Sequence, residues 1–132
     1  MDILNLSPFL VVPFFILNND RKMLVKYLLN FLVLNPVLKY CIFRPLVGSL
    51  GHRPTGGSAC LSGYGMPSGH SQALAFFAAY VFYSPKSTDY RRLAAVLLML
   101  AVMYSRVENR CHTVPQVIVG AVIGWLVYNF PV

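Results

Sequence analysis

The sequence predicts an all-α integral-membrane protein, a helical bundle of about five hydrophobic segments of which four or five cross the bilayer. Of the 132 residues, 57% are hydrophobic and only 11% are charged, which leaves too little polar surface to cover a water-soluble globule of this size. No charged residue interrupts 114–132 or 93–105. The first stretch is long enough to cross about 30 Å of hydrocarbon, and the second reaches that length with its flanking arginines.

The five segments cover residues 3–17, 23–43, 71–83, 93–105 and 114–130. Pro8 and Pro13 interrupt the first segment, so it either spans the bilayer or lies at the interface. The loop at 44–66 is rich in glycine, proline and serine and is long for a compact bundle, which is typical of a loop that carries function. Functional residues are therefore expected in and around this loop.

If all five segments cross, the connections alternate between two faces. Residues 18–23 and 84–92 share one face, which is basic and has no histidine, so the positive-inside rule makes it cytosolic. Residues 44–66 and 106–113 share the other face, which would open to the lumen or the exterior. That second face gathers the histidines and five basic residues: His52, His70, His112, Lys39, Arg44, Arg53, Arg106 and Arg110.

The net charge of +7 does not indicate a nucleic-acid partner. The basic residues fall between apolar segments instead of forming one contiguous stripe. Membrane topology and the binding of an anion explain them better, with the lipid bilayer as the expected partner and a homo-oligomer as an option for so short a bundle.

The three cysteines, Cys41, Cys60 and Cys111, all fall at or near the non-cytosolic face. Two interpretations stay open. Cys60 and Cys111 form a disulfide, or all three are unpaired thiols in apolar surroundings.

The clearest local motif is Pro67-Ser68-Gly69-His70, which comes directly before an apolar run. Ser68 fits the N-cap of a helix, so the backbone N–H groups of Gly69 and His70 could bind an anion at the positive end of that helix. Glycine lets an anion oxygen approach closely. The alternative is an ordinary capped turn with an interfacial histidine.

A second motif places Arg106 six positions before His112, between two apolar segments. Arginine offers phosphate oxygens a permanently charged planar fork, and neutral imidazole is a competent nucleophile near neutral pH. Arg106 could instead mark only a membrane boundary. A charged residue so close to hydrophobic segments is costly, however, which favours a functional role.

Together the two motifs resemble the second and third signature motifs of the type 2 phosphatidic acid phosphatase superfamily, over roughly residues 36–132. The resemblance implies one membrane phosphatase domain at 1–132 that acts without a metal or other cofactor. It also implies that His112 attacks phosphorus to form a phosphohistidine, that Arg106, Ser68 and the Gly69 amide bind the phosphoryl oxygens, and that His70 protonates the leaving oxygen. The carboxylates are scattered and provide no metal cluster: Asp2, Asp20, Asp89 and Glu108.

The first motif of that superfamily, a lysine followed after six residues by Arg-Pro, is irregular here. Lys39 precedes Arg44-Pro45 by too few residues and Arg53-Pro54 by too many. We favour Lys39 with Arg53 as phosphate-binding residues, because the residues after Arg53 lead into the loop that contains Ser68. Arg44 would then be an interfacial anchor or an auxiliary phosphate contact.

Gln116 occupies the place, four residues after the nucleophilic histidine, where the superfamily usually has aspartate. On a helix it lies on the same face as His112, and its amide oxygen can fix the imidazole tautomer without supplying a negative charge. This glutamine and the residues around Ser68 look like the dolichyl-diphosphatase branch, which implies a polyprenyl diphosphate substrate at the lumenal face of the endoplasmic reticulum. Alternatives are a phosphatidate or short isoprenyl-diphosphate phosphatase, and a catalytically weak protein that binds lipid phosphates.

Gly120 and Gly124 form a small-x3-small pattern in the last segment. Such a pattern lets two helices approach closely in a membrane. We interpret it as a packing surface and not as part of the catalytic site.

Overall fold

The computed structural model describes residues 6–48, 65–109 and 111–131, and this part of the chain is helical without strands. Six helices follow one another, and they are α1 (Ser7–Leu10), α2 (Val12–Leu17), α3 (Arg21–Val47), α4 (Gly69–Tyr83), α5 (Asp89–Glu108) and α6 (Val114–Asn129). The predicted all-α class is confirmed. Each of the five predicted segments corresponds to a helix, or in the first case to the pair α1 and α2.

Helix starts are explained by local sequence. Asp20, Ser68 and Thr88 cap α3, α4 and α5, each accepting a backbone N–H three residues later at 3.3 Å. Pro8 and Pro13 each lie within the first two positions of a short helix, where a missing N–H does no harm. The two prolines therefore divide the first segment at Val11 without removing its helical character.

Helix α3 is not a regular α-helix along its length. It contains two π-helical stretches, Asn30–Leu34 and Leu38–Phe43, on either side of Pro36. Proline cannot donate the usual backbone hydrogen bond and crowds the preceding turn, and wider π turns accommodate such a defect. The irregular part of α3 lies beside α4, next to the residues of the candidate site.

Helix α4 is the central helix of the bundle. Its residues from Ser71 to Ala79 are all buried, and it packs against α3, α5 and α6. The approach of α6 is especially close, because a Cβ on Gly120 would lie 2.5 Å from the Ser68 carbonyl oxygen and one on Gly124 would lie 2.0 Å from that of Gln72. The interpretation of these glycines as a close helix-packing surface is confirmed.

An aromatic cluster joins α2 and α3 to the C-terminal halves of α4 and α6. Its members are Phe14, Phe15, Tyr27, Phe76, Phe77, Tyr80 and Tyr128. Hydrogen bonds also connect the helices at this end of the bundle. The Tyr80 hydroxyl donates to Asp20 at 3.0 Å, and Lys26 donates to the carbonyls of Tyr128 and Phe130. The motif residues consequently lie at the opposite end of the bundle.

One helix in the described residues, Arg21–Val47, is long and apolar enough to cross a membrane. Ser7–Leu17 and Val114–Asn129 are shorter apolar helices. The expectation of four or five membrane crossings thus remains a prediction.

Candidate phosphate-binding site

The first part of the site is the turn that leads into α4. Ser68 is fully buried, and its Oγ accepts the backbone N–H of Ser71 at 3.3 Å, so the predicted N-cap is confirmed. Gly69 and His70 are the first two residues of the helix and are partly exposed. We call residues 67–69 the anion-binding loop, because their position at the helix N-terminus favours negative charge.

The second part is the turn between α5 and α6. The backbone N–H groups of Cys111 and His112 both donate to the Arg106 carbonyl, at 2.9 and 3.1 Å. This turn folds back on Arg106, so residues six positions apart become neighbours. Arg106 and His112 are 4% and 3% exposed, and a guanidinium and an imidazole held at such depth have polar partners in a stable protein.

Gln116 sets the tautomer of His112. Its Oε1 lies 3.1 Å from the backbone nitrogen of Thr113 and 3.2 Å from His112 Nδ1. The backbone N–H of Thr113 can only donate, so this atom is the amide oxygen, and His112 Nδ1 must carry a proton to bond to it. The lone pair of the neutral ring is then on Nε2.

Gln116 also joins the two parts. Its backbone carbonyl accepts the N–H of Ser68 at 3.1 Å, while its side chain holds His112. Gly120, one turn further along α6, lies against the backbone of Ser68. The structure thus links Ser68 to His112 through Gln116, and links His112 to the carbonyl of Arg106. Their shared role at a phosphate site stays a prediction.

Helix α3 contains Lys39 and forms part of the environment of His70. Lys39 is 9% exposed although it lies in an apolar helix, and the ring of Phe31 contacts that of His70 edge-on, with centroids 6.3 Å apart. Arg44 is exposed near the end of the helix. Arg53, our preferred partner of Lys39, lies outside the described residues, so the choice between the two arginines stays a prediction.

Cys111, adjacent to His112, is disulfide-bonded, whereas Cys41 is exposed and free. The alternative of three unpaired thiols is therefore wrong, because one of the three participates in a disulfide. Cys60, the expected partner, lies outside the described residues.

Three buried carboxamides lie beside the site, and none of them was predicted as a site residue. Asn30 and Asn35 on α3 and Gln72 on α4 are 1%, 4% and 0% exposed, and they form one hydrogen-bonded network. Amide side chains in the middle of apolar segments are costly unless they are bonded. That cost is the sequence signal that could have identified them.

An apolar groove of about 1090 Å³ lies between α3 and α6. Its walls include Val25, Leu29, Val33, Val37 and Ile123. One end is basic, formed by Arg21, Lys22 and Lys26, and the other end reaches Val37, two residues before Lys39. The groove therefore runs along α3 as far as Val37, and Lys39 is not among the residues that line it.

Metal ligands are not grouped in the described ranges, where no three of the residue types His, Cys, Asp and Glu lie together. The site instead combines imidazole, guanidinium and ammonium groups with backbone N–H donors. This is a donor set for an anion with several oxygens.

Comparison with known proteins assigns the chain to a family. The family model of the PAP2 superfamily matches residues 8–130. The chain belongs to the PAP2 superfamily. The resemblance seen in the two motifs is confirmed by this match, which covers every described site residue.

A curated relative is the dolichyldiphosphatase of Saccharomyces cerevisiae, to which the PAP2 chain is 35% identical over 103 residues. The alignment covers 71% of this chain and 43% of the relative, so the chain spans less than half the length of that protein. No solved structure matches the chain.

Proposed function

We propose that this chain removes a phosphate group from a membrane lipid phosphate or polyprenyl diphosphate, with dolichyl diphosphate as the favoured substrate. The observation that carries the proposal is the arrangement around Gln116, which holds the imidazole of His112 in a nucleophilic tautomer next to the anion-binding loop. Membership of the PAP2 superfamily and the similarity to a dolichyldiphosphatase support the same reaction.

The proposed first step is in-line attack by His112 Nε2 on the terminal phosphorus. An N–P bond forms while the bond from phosphorus to the leaving oxygen breaks, and His70 donates a proton to that oxygen. A water molecule then attacks the phosphorus of the phosphohistidine, and His70 accepts a proton from that water. The N–P bond breaks, its electron pair returns to Nε2, and inorganic phosphate leaves. Two imidazoles on opposite sides of the phosphoryl group suffice for both steps.

Fixed positive charge stabilises the equatorial oxygens during both steps. Arg106 is buried beside His112, and Lys39 and Arg53 are the further cations assigned to this role, together with Ser68 and the Gly69 amide. Preorganised cations in a water-poor site stabilise developing negative charge far more than they would in water. Magnesium is therefore not required for the chemistry.

A lipid substrate fits the surroundings of the site. Large apolar side chains project outward along α5 and α6 at helical spacing: Leu93, Leu97, Leu100, Tyr104, Ile118, Val122 and Leu126, each at least 49% exposed. A bundle with such outward faces is stable in a bilayer. The apolar groove between α3 and α6 would hold a hydrocarbon tail.

The disulfide at Cys111 supports the proposed orientation. Disulfides persist in oxidising compartments such as the lumen of the endoplasmic reticulum, and Cys111 is adjacent to His112. The basic end of the groove, with Arg21 and Lys22, would face the cytosol. Both features agree with a multi-pass protein of the endoplasmic reticulum membrane whose site opens to the lumen.

A second candidate is a protein that binds lipid phosphates and turns them over slowly. The neutral amide of Gln116 favours it, because an amide stabilises the imidazolium form of His112 less than a carboxylate does. A phosphatidate or short isoprenyl-diphosphate phosphatase would differ from the first proposal only in the lipid tail of its substrate.

Phosphate release from dolichyl diphosphate and from phosphatidate, each with excess EDTA, tests the proposal with purified protein in lipid nanodiscs. Arg106→Ala should lower kcat/KM on the order of 10²–10³-fold. Arg92→Ala on the same helix, where the arginine is paired with Asp89 near the surface, is the matched control and should retain activity. No release from either lipid, or equal activity of the two variants, would contradict the proposal.

A further inference from the structure

We propose that Asn35 is a positioning residue, whose side-chain amide holds the anion-binding loop in the orientation that binds phosphate. This inference rests on the proposed function of the site, but it concerns a residue in α3 that neither signature motif contains.

The π-helical turn Asn30–Leu34 brings two asparagines to one face. Residues five apart on a regular α-helix point about 140° away from each other, because each residue turns the helix by about 100°. Here the N–H of Asn35 bonds to the carbonyl of Asn30, so the turn between them is wider than a turn of an α-helix. Both side chains therefore face α4, where both are buried.

Gln72 on α4 meets this face and connects the two asparagines. Its Nε2 donates to the carbonyl and to Oδ1 of Asn30, at 3.1 and 2.8 Å, and Asn30 Nδ2 donates back to the Gln72 carbonyl at 3.3 Å. These contacts turn Oε1 of Gln72 towards Asn35. Asn35 Nδ2 then donates to that oxygen at 3.0 Å.

The second contact of Asn35 Nδ2 is with the loop. It donates to the carbonyl of Pro67 at 3.0 Å, so both N–H groups of the amide are used. The amide is thereby oriented from one side by Gln72 and directed at the loop on the other.

The Pro67–Ser68 peptide unit is held from both sides. In a planar trans peptide the C=O and N–H groups point in opposite directions. The C=O accepts from Asn35 on α3, and the N–H donates to the Gln116 carbonyl on α6 at 3.1 Å. Because this plane is held between two helices, the orientations of Ser68 and of the Gly69 amide that follows it are restricted.

Close packing shows that the amide and the loop fit each other. A Cβ on Gly69 would lie 3.1 Å from Asn35 Oδ1, which is tighter than ordinary contact. An apolar side chain of similar size, such as leucine, has no N–H group and could not orient a carbonyl. Buried amides whose hydrogen-bonding groups are all paired with one another specify a single arrangement of the side chains. A phosphate site requires such a fixed geometry.

The test compares Asn35→Leu with Asn30→Leu in nanodiscs, using orthovanadate as a phosphate mimic. Both variants remove one buried amide from the same network on the same helix, but only Asn35 contacts the loop. The dissociation constant for orthovanadate is measured by titration calorimetry, kcat and KM are measured with dolichyl diphosphate, and the midpoint of thermal unfolding reports stability. Asn35→Ser is a milder third variant that retains a hydroxyl donor.

We expect Asn35→Leu to weaken orthovanadate binding and to lower kcat/KM on the order of 10–100-fold, with Asn35→Ser intermediate. Asn30→Leu should lower the midpoint of thermal unfolding about as much as Asn35→Leu does, but it should weaken orthovanadate binding much less. Equal losses in the two leucine variants would indicate a purely structural network and overturn the inference. So would wild-type vanadate affinity in a folded Asn35→Ser protein.

The two proposals fail in different ways. Wild-type protein that binds orthovanadate but hydrolyses neither lipid would contradict the proposed function, while the vanadate constants of the variants would still report on Asn35. Normal hydrolysis by Asn35→Leu would contradict the positioning role alone.

Discussion

A methyl group added at Gly120 tests whether the close packing of α6 also sets the geometry of the site. In Gly120→Ala the new Cβ would lie 2.5 Å from the Ser68 carbonyl oxygen, whereas ordinary contact begins at 3.4 Å, so the shortfall is 3.4 less 2.5, or 0.9 Å. The Ser68 backbone must retreat by about this distance or α6 must move away. Displacement of a site group by about 1 Å costs on the order of 10²-fold in rate.

Gly124→Ala is the companion variant, because its Cβ would meet the Gln72 carbonyl at 2.0 Å, one turn further from the anion-binding loop. Overpacking costs about 1–3 kcal/mol of stability and occasionally more, and we expect the larger loss here. Val122→Ala, on the same helix at a residue that is 52% exposed, is the control and should change little. The assay is the unfolding midpoint together with kcat/KM in nanodiscs.

Gly120→Ala should lose more activity than its loss of stability explains. If Gly120→Ala retained wild-type kcat/KM and unfolding midpoint, the close approach of α6 to the loop would be refuted. If both alanine variants lost activity only in proportion to unfolding, the glycines would have a packing role alone.

Three further predictions concern the residues around His112. Gln116→Asp should remain active and shift the pH optimum of kcat/KM upward. A carboxylate favours the protonated form of His112 and raises the pKa of that imidazole, so the neutral nucleophile forms at higher pH. An unchanged or lower optimum would contradict the contact between the two side chains. Cys111→Ser should lower stability by about 2–5 kcal/mol and reduce activity with it, whereas Cys41→Ser should lower neither, as measured by thermal unfolding. Ser68→Ala should cost about 1 kcal/mol through loss of the α4 cap and should weaken orthovanadate binding as well, which a simple capping role would not do.

Much of the helical architecture could be predicted because hydrophobic runs and their separators are local features. The N-cap at Ser68 was predicted from a serine before a long apolar run. The close packing at Gly120 and Gly124 was predicted from their spacing. In each case the physical cause lies within a few residues of the feature itself.

The network of Asn30, Asn35 and Gln72 could not be predicted in the same way. Its formation depends on the π-helical turn between Asn30 and Asn35, which changes the faces of α3 relative to a regular α-helix. Regular helical periodicity places the two asparagines on different faces. The contact with the Pro67 carbonyl also depends on how α3 packs against α4, which no local pattern determines.

The junction at Gln116 shows an intermediate case. Its contact with His112 was predicted from a four-residue spacing on one helix. The contact forms at 3.2 Å, but His112 precedes Thr113, the N-cap of α6, so the capping turn and not a shared helix face brings the two side chains together. Its backbone contact with Ser68 joins residues far apart in sequence and emerged only from the fold. The partner of Lys39 stays a prediction, since Arg53 is outside the described residues.

The most direct measurement is to trap the covalent intermediate on His112. Protein in nanodiscs is mixed with dolichyl diphosphate carrying ³²P in the terminal phosphate, quenched with alkali within milliseconds, and analysed for bound label and its position. We predict an acid-labile, alkali-stable phosphate on His112 that is absent from His112→Ala. Phosphate release by wild-type protein without labelled His112, or label that persists in His112→Ala, would contradict the mechanism.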